Sequence, residues 1–293
     1  MYKIIITIIL IFGMASCGEN SNAKQNSEVS ANNIQNEKII KAIENNDISE
    51  LTSIFEGGDI NVNDIIEAEV GNDMELQVSM TPLMYASYLG NYEIAKYLIE
   101  DKKADVNAEN EYGWTALKYA SDEGRLEIVK YLVENGASVD AEVLTITKNL
   151  EIFEYLLEQG NLNINSVGYL GMTALSSASI EYGNLEMIKY LLEKGADINV
   201  KNEDGSTALM TASMYGNLEI IKYLIENGAD INAKDNDDST ALIYASKWGN
   251  LETVEYLVKN GADINIKDIE NKTALDWAAN SRIEEVLKNA ASK

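Results

Sequence analysis

The chain has 293 residues and a formal charge of −25, from 48 acidic against 23 basic side chains. One cysteine (Cys17), one proline (Pro82) and no histidine exclude a disulfide framework or a multi-cysteine zinc site, and remove the commonest general base and metal ligand. The acidic field opposes nucleic acid and anionic membrane surfaces; it serves solubility in its plain reading and a basic partner in its sharper one.

In chain order, the first segment is an address. Residues 1–17 read MYKIIITIILIFGMASC. Lys3 supplies a positive start and Ile4–Phe12 an apolar run. That run is too short for a span of ~20 residues and has the size of a signal-peptide core. Met14-Ala15-Ser16-Cys17 resembles a bacterial lipobox, with Met14 where leucine is usual. The resemblance implies a signal peptide over 1–16 and lipidation of Cys17. It also implies a place in the bacterial cell envelope, anchored on the periplasmic side or at the cell surface. An ordinary signal peptide with a fortuitous cysteine is the other reading. Residues 17–36, rich in Asn, Ser, Glu and Gln, read as a flexible tether because they have too little apolar surface to bury.

Beyond the tether the chain repeats itself. Thr81-Pro82-Leu83-Met84-Tyr85-Ala86 recurs at Thr115, Thr173, Thr207, Thr240 and Thr273, each time as Thr-Ala-Leu with Ala five residues after the Thr. The unbroken intervals are 34, 34, 33 and 33 residues. Gly-Asn-Leu-Glu at Gly183, Gly216 and Gly249 and Gly-Ala-Asp-Ile-Asn at Gly195, Gly228 and Gly261 travel with it. Within one repeat, Thr207 reads as an N-cap and Gly216 as a left-handed stop. Asn217 reads as the N-cap of a second helix, whose Ile220, Ile221, Leu224 and Ile225 form a buried stripe. A single repeat has too little core to fold alone, so neighbours must stack.

These motifs resemble the ankyrin repeat, whose signature begins Thr-Pro-Leu-His-x-Ala. The resemblance implies an all-α repeat solenoid over residues 37–291, of paired helices with β-hairpin fingers, about eight repeats including caps. The family's histidine is replaced throughout, by Met84, Lys118, Ser176, Met210, Ile243 and Asp276, which puts some turn-to-turn hydrogen bonding in doubt. An N-terminal cap is expected over Glu37–Ile60 and a clipped last repeat over Trp277–Leu287.

Two irregularities break the pattern. Gly58 to Thr81 spans 23 residues where Gly195 to Thr207 spans 12. The insertion, about 61–80, has two strand-like runs around Gly71-Asn72-Asp73 and predicts an extended hairpin. It is either part of a binding face or a tolerated extension. The repeat over about 139–163 has both helices and no finger, which should leave a notch that either bends the solenoid or admits a partner's loop.

Aromatic residues fall into two sets. Tyr97, Tyr131, Tyr155, Tyr190, Tyr223 and Tyr256 recur once per repeat in the second helix, a structural ladder. Tyr85, Tyr119, Tyr244 and Trp277 read as part-buried in the first helix. Tyr88, Tyr112, Trp114, Tyr169, Tyr182, Tyr215 and Trp248 fall at positions that the resemblance places on fingers and a concave groove, and they are the candidates for partner contact. Asp235-Asn236-Asp237-Asp238-Ser239 has the oxygen density of a calcium loop. Ser246 stands where its twelfth-position Glu belongs, so it reads as a finger tip with Asp238 in place of a turn glycine.

No phosphate-cradling loop, nucleophile elbow or Cys/His pair is present. The expectation is a monomeric, lipid-anchored module for a protein or peptide partner, without cofactor, metal or catalytic residues. Its membrane association runs through the N-terminal lipid only. The alternative is an acidic inhibitor or immunity-type protein that neutralises a basic toxin or enzyme.

Overall fold

The computed structural model describes residues 28–58, 60–70, 76–180 and 184–292. The signal segment, Cys17, the hairpin turn Gly71-Asn72-Asp73 and Tyr182 lie outside them. The chain divides into two compact units. The first runs to Glu123 and takes in Lys130–Ala137; the second is Gly124–Val129 with Ser138 onward. Helix α6 (Leu126–Glu134) is shared between them.

The first unit opens with α1 (Glu28–Glu44) and α2 (Ile48–Gly57). Residues 28–36, read above as tether, are therefore helical. Ile39, Ala42 and Ile43 bury the C-terminal half of α1, and no Gly or Pro interrupts the run from Glu28 to Glu44, so the anchored half extends by propagation. Asp47 caps α2, its carboxylate accepting the Glu50 N–H at 2.9 Å. Strands β1 (Ile66–Val70) and β2 (Leu76–Met80) then pair antiparallel, with Ile66 opposite Met80 and Ala68 opposite Val78. Ile66, Ala68 and Met80 are fully buried. The base of the insertion is thus core, not ornament. Helices α3 (Pro82–Leu89) and α4 (Tyr92–Glu100) form a hairpin, α3 lies between α1 and α5 (Ala116–Asp122), and the Tyr85 hydroxyl donates to Glu44 at 2.9 Å.

The second unit continues with α7 (Ala141–Ile146) and α8 (Leu150–Gly160). Six residues separate α6 from α7 where fifteen separate α4 from α5, the lost finger expected there. A 3-10 turn (Tyr169–Gly171) precedes α9 (Ala174–Ala178) and α10 (Leu185–Glu193). Regular pairs follow, α11 (Ala208–Tyr215) with α12 (Leu218–Glu226) and α13 (Ala241–Lys247) with α14 (Leu251–Lys259). Helix α9 packs on α11 and α11 on α13. The last repeat keeps only its second helix, α15 (Ser281–Ala291). Asn280 caps α15 by accepting from the N–H groups of Arg282 and Ile283, and residues 274–277, where a first helix would lie, form turns instead.

Every threonine entry is a cap. The hydroxyls of Thr81, Thr115, Thr173, Thr207 and Thr240 accept the N–H three residues on, satisfying a free amide of the first turn. Several residues in place of the family's histidine make hydrogen bonds, all within their own repeat. The Lys118 ammonium donates to Gly113 O at 2.7 Å. The Met84 and Met210 sulfurs accept from the N–H groups of Thr81 and Thr207. Asp276 accepts from both the N–H and the hydroxyl of Thr273, each at 2.8 Å. Asn217 occupies its N-cap position but its side chain makes no capping bond. In the next repeat the Asn250 amide instead donates to Ser213 O and Met214 O, tying α14 to the preceding first helix.

Candidate interaction surface

The fingers share one local design. Asn110, Gly168, Asn202, Asp235 and Asp268 each donate their N–H to the carbonyl four residues on (Trp114, Met172, Ser206, Ser239 and Lys272) and accept from the N–H of the third residue on. That third residue is always left-handed: Gly113, Gly171, Gly205, Asp238 and Asn271. Where the first residue is Asn or Asp its side chain locks the turn from inside. Asp235 Oδ1 accepts from the N–H groups of Asp237 and Ser239, and Oδ2 accepts the Tyr244 hydroxyl at 2.7 Å. Asp268 repeats this with Glu270, Lys272 and the Trp277 indole; Asn110 Oδ1 accepts from the N–H groups of Tyr112 and Trp114, while its amide nitrogen donates to the Tyr119 hydroxyl oxygen. In these three fingers the aromatic nine residues on, Tyr119, Tyr244 or Trp277, therefore clamps the finger before it.

Protonation follows this wiring. Burial and the bond to Asp235 push the Tyr244 hydroxyl well above its ordinary range. Burial pushes the Asp268 carboxyl up, but donation from the Lys272 N–H, the Trp277 indole and the Glu270 N–H outweighs it and holds the group below 3.8. In the suspected calcium loop Asp235 holds three protein donors and Asp238 pairs with Lys234. Among the described residues no group of three or more acidic, histidine or cysteine side chains could hold a metal ion. None of their helices is long and apolar enough to cross a membrane.

In the second unit the tips join edge to edge. The N–H groups of Glu203, Asn236 and Ile269 donate to Gly171 O, Asp204 O and Asp237 O at 2.9, 3.0 and 3.0 Å. A second ladder runs at the finger bases, where Asn165, Asn199 and Asn232 accept from the N–H groups of Asp197, Asp230 and Asp263. These bonds recur at the repeat interval, so they position the tips without specifying a partner.

The candidate aromatics separate on this frame. Trp248, at the C-cap of α13, is 60% exposed, and Tyr112, at a finger tip, 53%. Tyr88 is half-buried, stacked on Tyr85 at 6.3 Å and edge-on to Tyr119. Tyr169 and Tyr215 are half-buried too. Trp114 is buried: its ring lies 4.8 Å from Tyr119 and its N–H is held by Asn110. It is the core of its finger and cannot be an anchor presented to a partner. The second-helix tyrosines are structural. The ammonium groups of Lys189 and Lys222 sit over Tyr223 and Tyr256 of the following repeat, and Tyr131 donates to Glu100 at 3.0 Å. Sequence reasoning restricted to aromatics passed over Ile269, 66% exposed, and Leu170, 52%. Their signal was available: aligning the fingers puts both on tips otherwise built of Asn, Asp, Glu and Tyr.

The fold and its finger surface define a class, a helical repeat scaffold that presents turns to other proteins. Family profiles for ankyrin repeats match residues 39–143, 199–268 and 236–290, and a further ankyrin profile matches 156–209. The chain belongs to the ankyrin-repeat family. It is similar to the mouse serine/threonine-protein kinase TNNI3K, 32% identical over 136 residues, covering 44% of this chain and 13% of the kinase. It is similar to the Notch-regulated ankyrin repeat-containing protein of Xenopus tropicalis, 42% identical over 67 residues, covering 23% of this chain and 58% of that protein. Among solved structures, the ankyrin repeat domain of human ASB11 matches at TM-score 0.59 and 25% identity, over 72% of this chain and 98% of that one. The ankyrin repeat domain of Bcl-3 matches at TM-score 0.52 and 29% identity, over 71% and 98%. Ankyrin repeats mark a protein–protein interaction module.

Proposed function

We propose that the chain is a non-enzymatic binding module, anchored in a bacterial cell envelope by a lipid on Cys17, that holds a protein or peptide partner on its fingers and first-helix ends. The observation that carries the binding role is Trp248, a large aromatic 60% exposed on a family scaffold built for protein contacts, where such residues act as interface anchors. What supports the anchor is the coincidence of the sole cysteine with a lipobox behind an apolar run. Pull-down from detergent-solubilised envelope should recover a specific partner that Trp248→Ala loses; equal recovery with the variant refutes this use of the surface. Labelled palmitate should enter the protein and vanish with Cys17→Ala, and an unlabelled wild type refutes the anchor.

A second reading, an inhibitor of a basic toxin or enzyme, is favoured by tip carboxylates with no cation of their own. Among the described residues no ammonium or guanidinium lies within ion-pair distance of Glu203, Asp204 or Asp237. Its affinity should fall steeply with salt, and salt-independent binding would discard it.

A further inference from the structure

The finger of residues 167–173 departs from the others of its unit in three respects. Its tip is Tyr169-Leu170, where the following tips are Glu203-Asp204, Asn236-Asp237 and Ile269-Glu270. Its backbone is also different. The later fingers have one left-handed residue each, whereas here Leu170 (φ 53) and Gly171 (φ 69) are left-handed in succession. A leucine side chain crowds its own carbonyl in that region, and glycine or asparagine would sit there with less strain. Finally, the finger is fastened at its base. A Cβ on Gly168 would lie 2.3 Å from Ala141 O, and the Tyr169 N–H donates to Thr145 Oγ1 at 2.9 Å.

Burial does not offset the strain. Leu170 is 52% exposed and Val167, below it, 44%. A strained, exposed apolar residue held by its surroundings points to a use outside the folding of the chain. What lies beside it narrows that use. A Cβ on Gly171 would meet Glu203 Oε2 at 2.5 Å, so the first unneutralised carboxylate lies against the residue that follows Leu170 in the same finger. Asp204 and Asp237 continue along the bonded row of tips, all three exposed. Asp238 is excluded from this set, because Lys234 pairs with it at 3.2 Å.

We infer that Val167 and Leu170 form a knob that docks with a basic amphipathic partner segment, whose aliphatic side chains cover the knob while its lysines or arginines meet Glu203, Asp204 and Asp237. The inference rests on the binding-module reading and names the partner's chemistry. The apolar contact would supply residence time, and the carboxylate row would supply register and encounter rate.

The test uses the full chain and a synthetic helical peptide with leucine on one face and lysine on the other. Two controls replace leucine by serine, or lysine by glutamate. The leucine–lysine peptide should bind and both controls should fail. Leu170→Gly should weaken binding roughly tenfold, as loss of an interface anchor does, while raising the melting temperature. Asp204→Asn with Asp237→Asn should flatten the salt dependence and leave the melting temperature within a degree or two (roughly). Equal binding of either control peptide, no binding of the leucine–lysine peptide, or a Leu170→Gly chain that melts lower or binds unchanged would each overturn the inference. The binding-module reading would stand through any of these if the envelope pull-down still returned a Trp248-dependent partner.

Discussion

Asp268 shows how much one side chain does in this chain. Its carboxylate takes two backbone N–H groups and the Trp277 indole, and Lys247 and Lys272 lie over that same indole ring at 4.3 and 4.0 Å. Asp268→Ala strands three donors and should cost about 2–3 kcal/mol, read as a lowered midpoint in urea unfolding. Its pKa, like that of Asp276, is depressed below 3.8. Stability that depends on these charges is therefore present above pH 3.8 and is lost as pH falls through the depressed folded values. Tyrosines set the alkaline edge. Burial, then the bond to Glu100, pushes Tyr131 from 10.0 up to about 12. The folded chain holds that proton more tightly than the unfolded one, so stability declines as pH rises from 10.0 through about 12. Tyr131→Phe should remove part of this decline in alkaline melting curves, and an unchanged slope would refute the assignment.

At the scale of elements, the inserted hairpin and the fastened finger carry the clearest expectations. Ile66 is buried at the base of β1, so Ile66→Ala should lower stability by about 2–4 kcal/mol. A dispensable loop would show almost no change in the same unfolding curve. Gly168→Ala forces a methyl against Ala141 O and should destabilise by about 1–3 kcal/mol. The repeats themselves were legible, because a Thr cap, a left-handed Gly and an apolar stripe recur with fixed spacing, and each motif has one local solution. The fingers were less so. Nothing in the string Tyr-Gly-Trp at 112–114 distinguishes a displayed Trp from a buried one. Packing of the indole against Tyr119, 4.8 Å away in the following helix, decides it. The start of α1 was missed for a related reason. Polar composition argued for tether, while tertiary anchoring at Ile39 and Ile43 carried the helix back to Glu28. Leu170 was legible as an odd apolar tip once the fingers are aligned, but its left-handed backbone (φ 53) was not, because leucine disfavours that region.

For the whole molecule, charge and surface decide behaviour. At −25 the folded chain repels itself, so added salt should raise its melting temperature through screening. The same salt should weaken capture of a basic partner, and the opposite signs of the two effects separate stability from recognition. The proposed binding mode places partners on the finger side, at the exposed tips and first-helix ends. It is tested most directly by placing a photo-crosslinking residue at Trp248 or Leu170 and, as a control, at Glu255, exposed on the second helix α14, then irradiating intact cells. Positions 248 and 170 should each give a discrete, heavier protein adduct and position 255 none. An adduct confined to position 255, or the same adducts from all three, would contradict it.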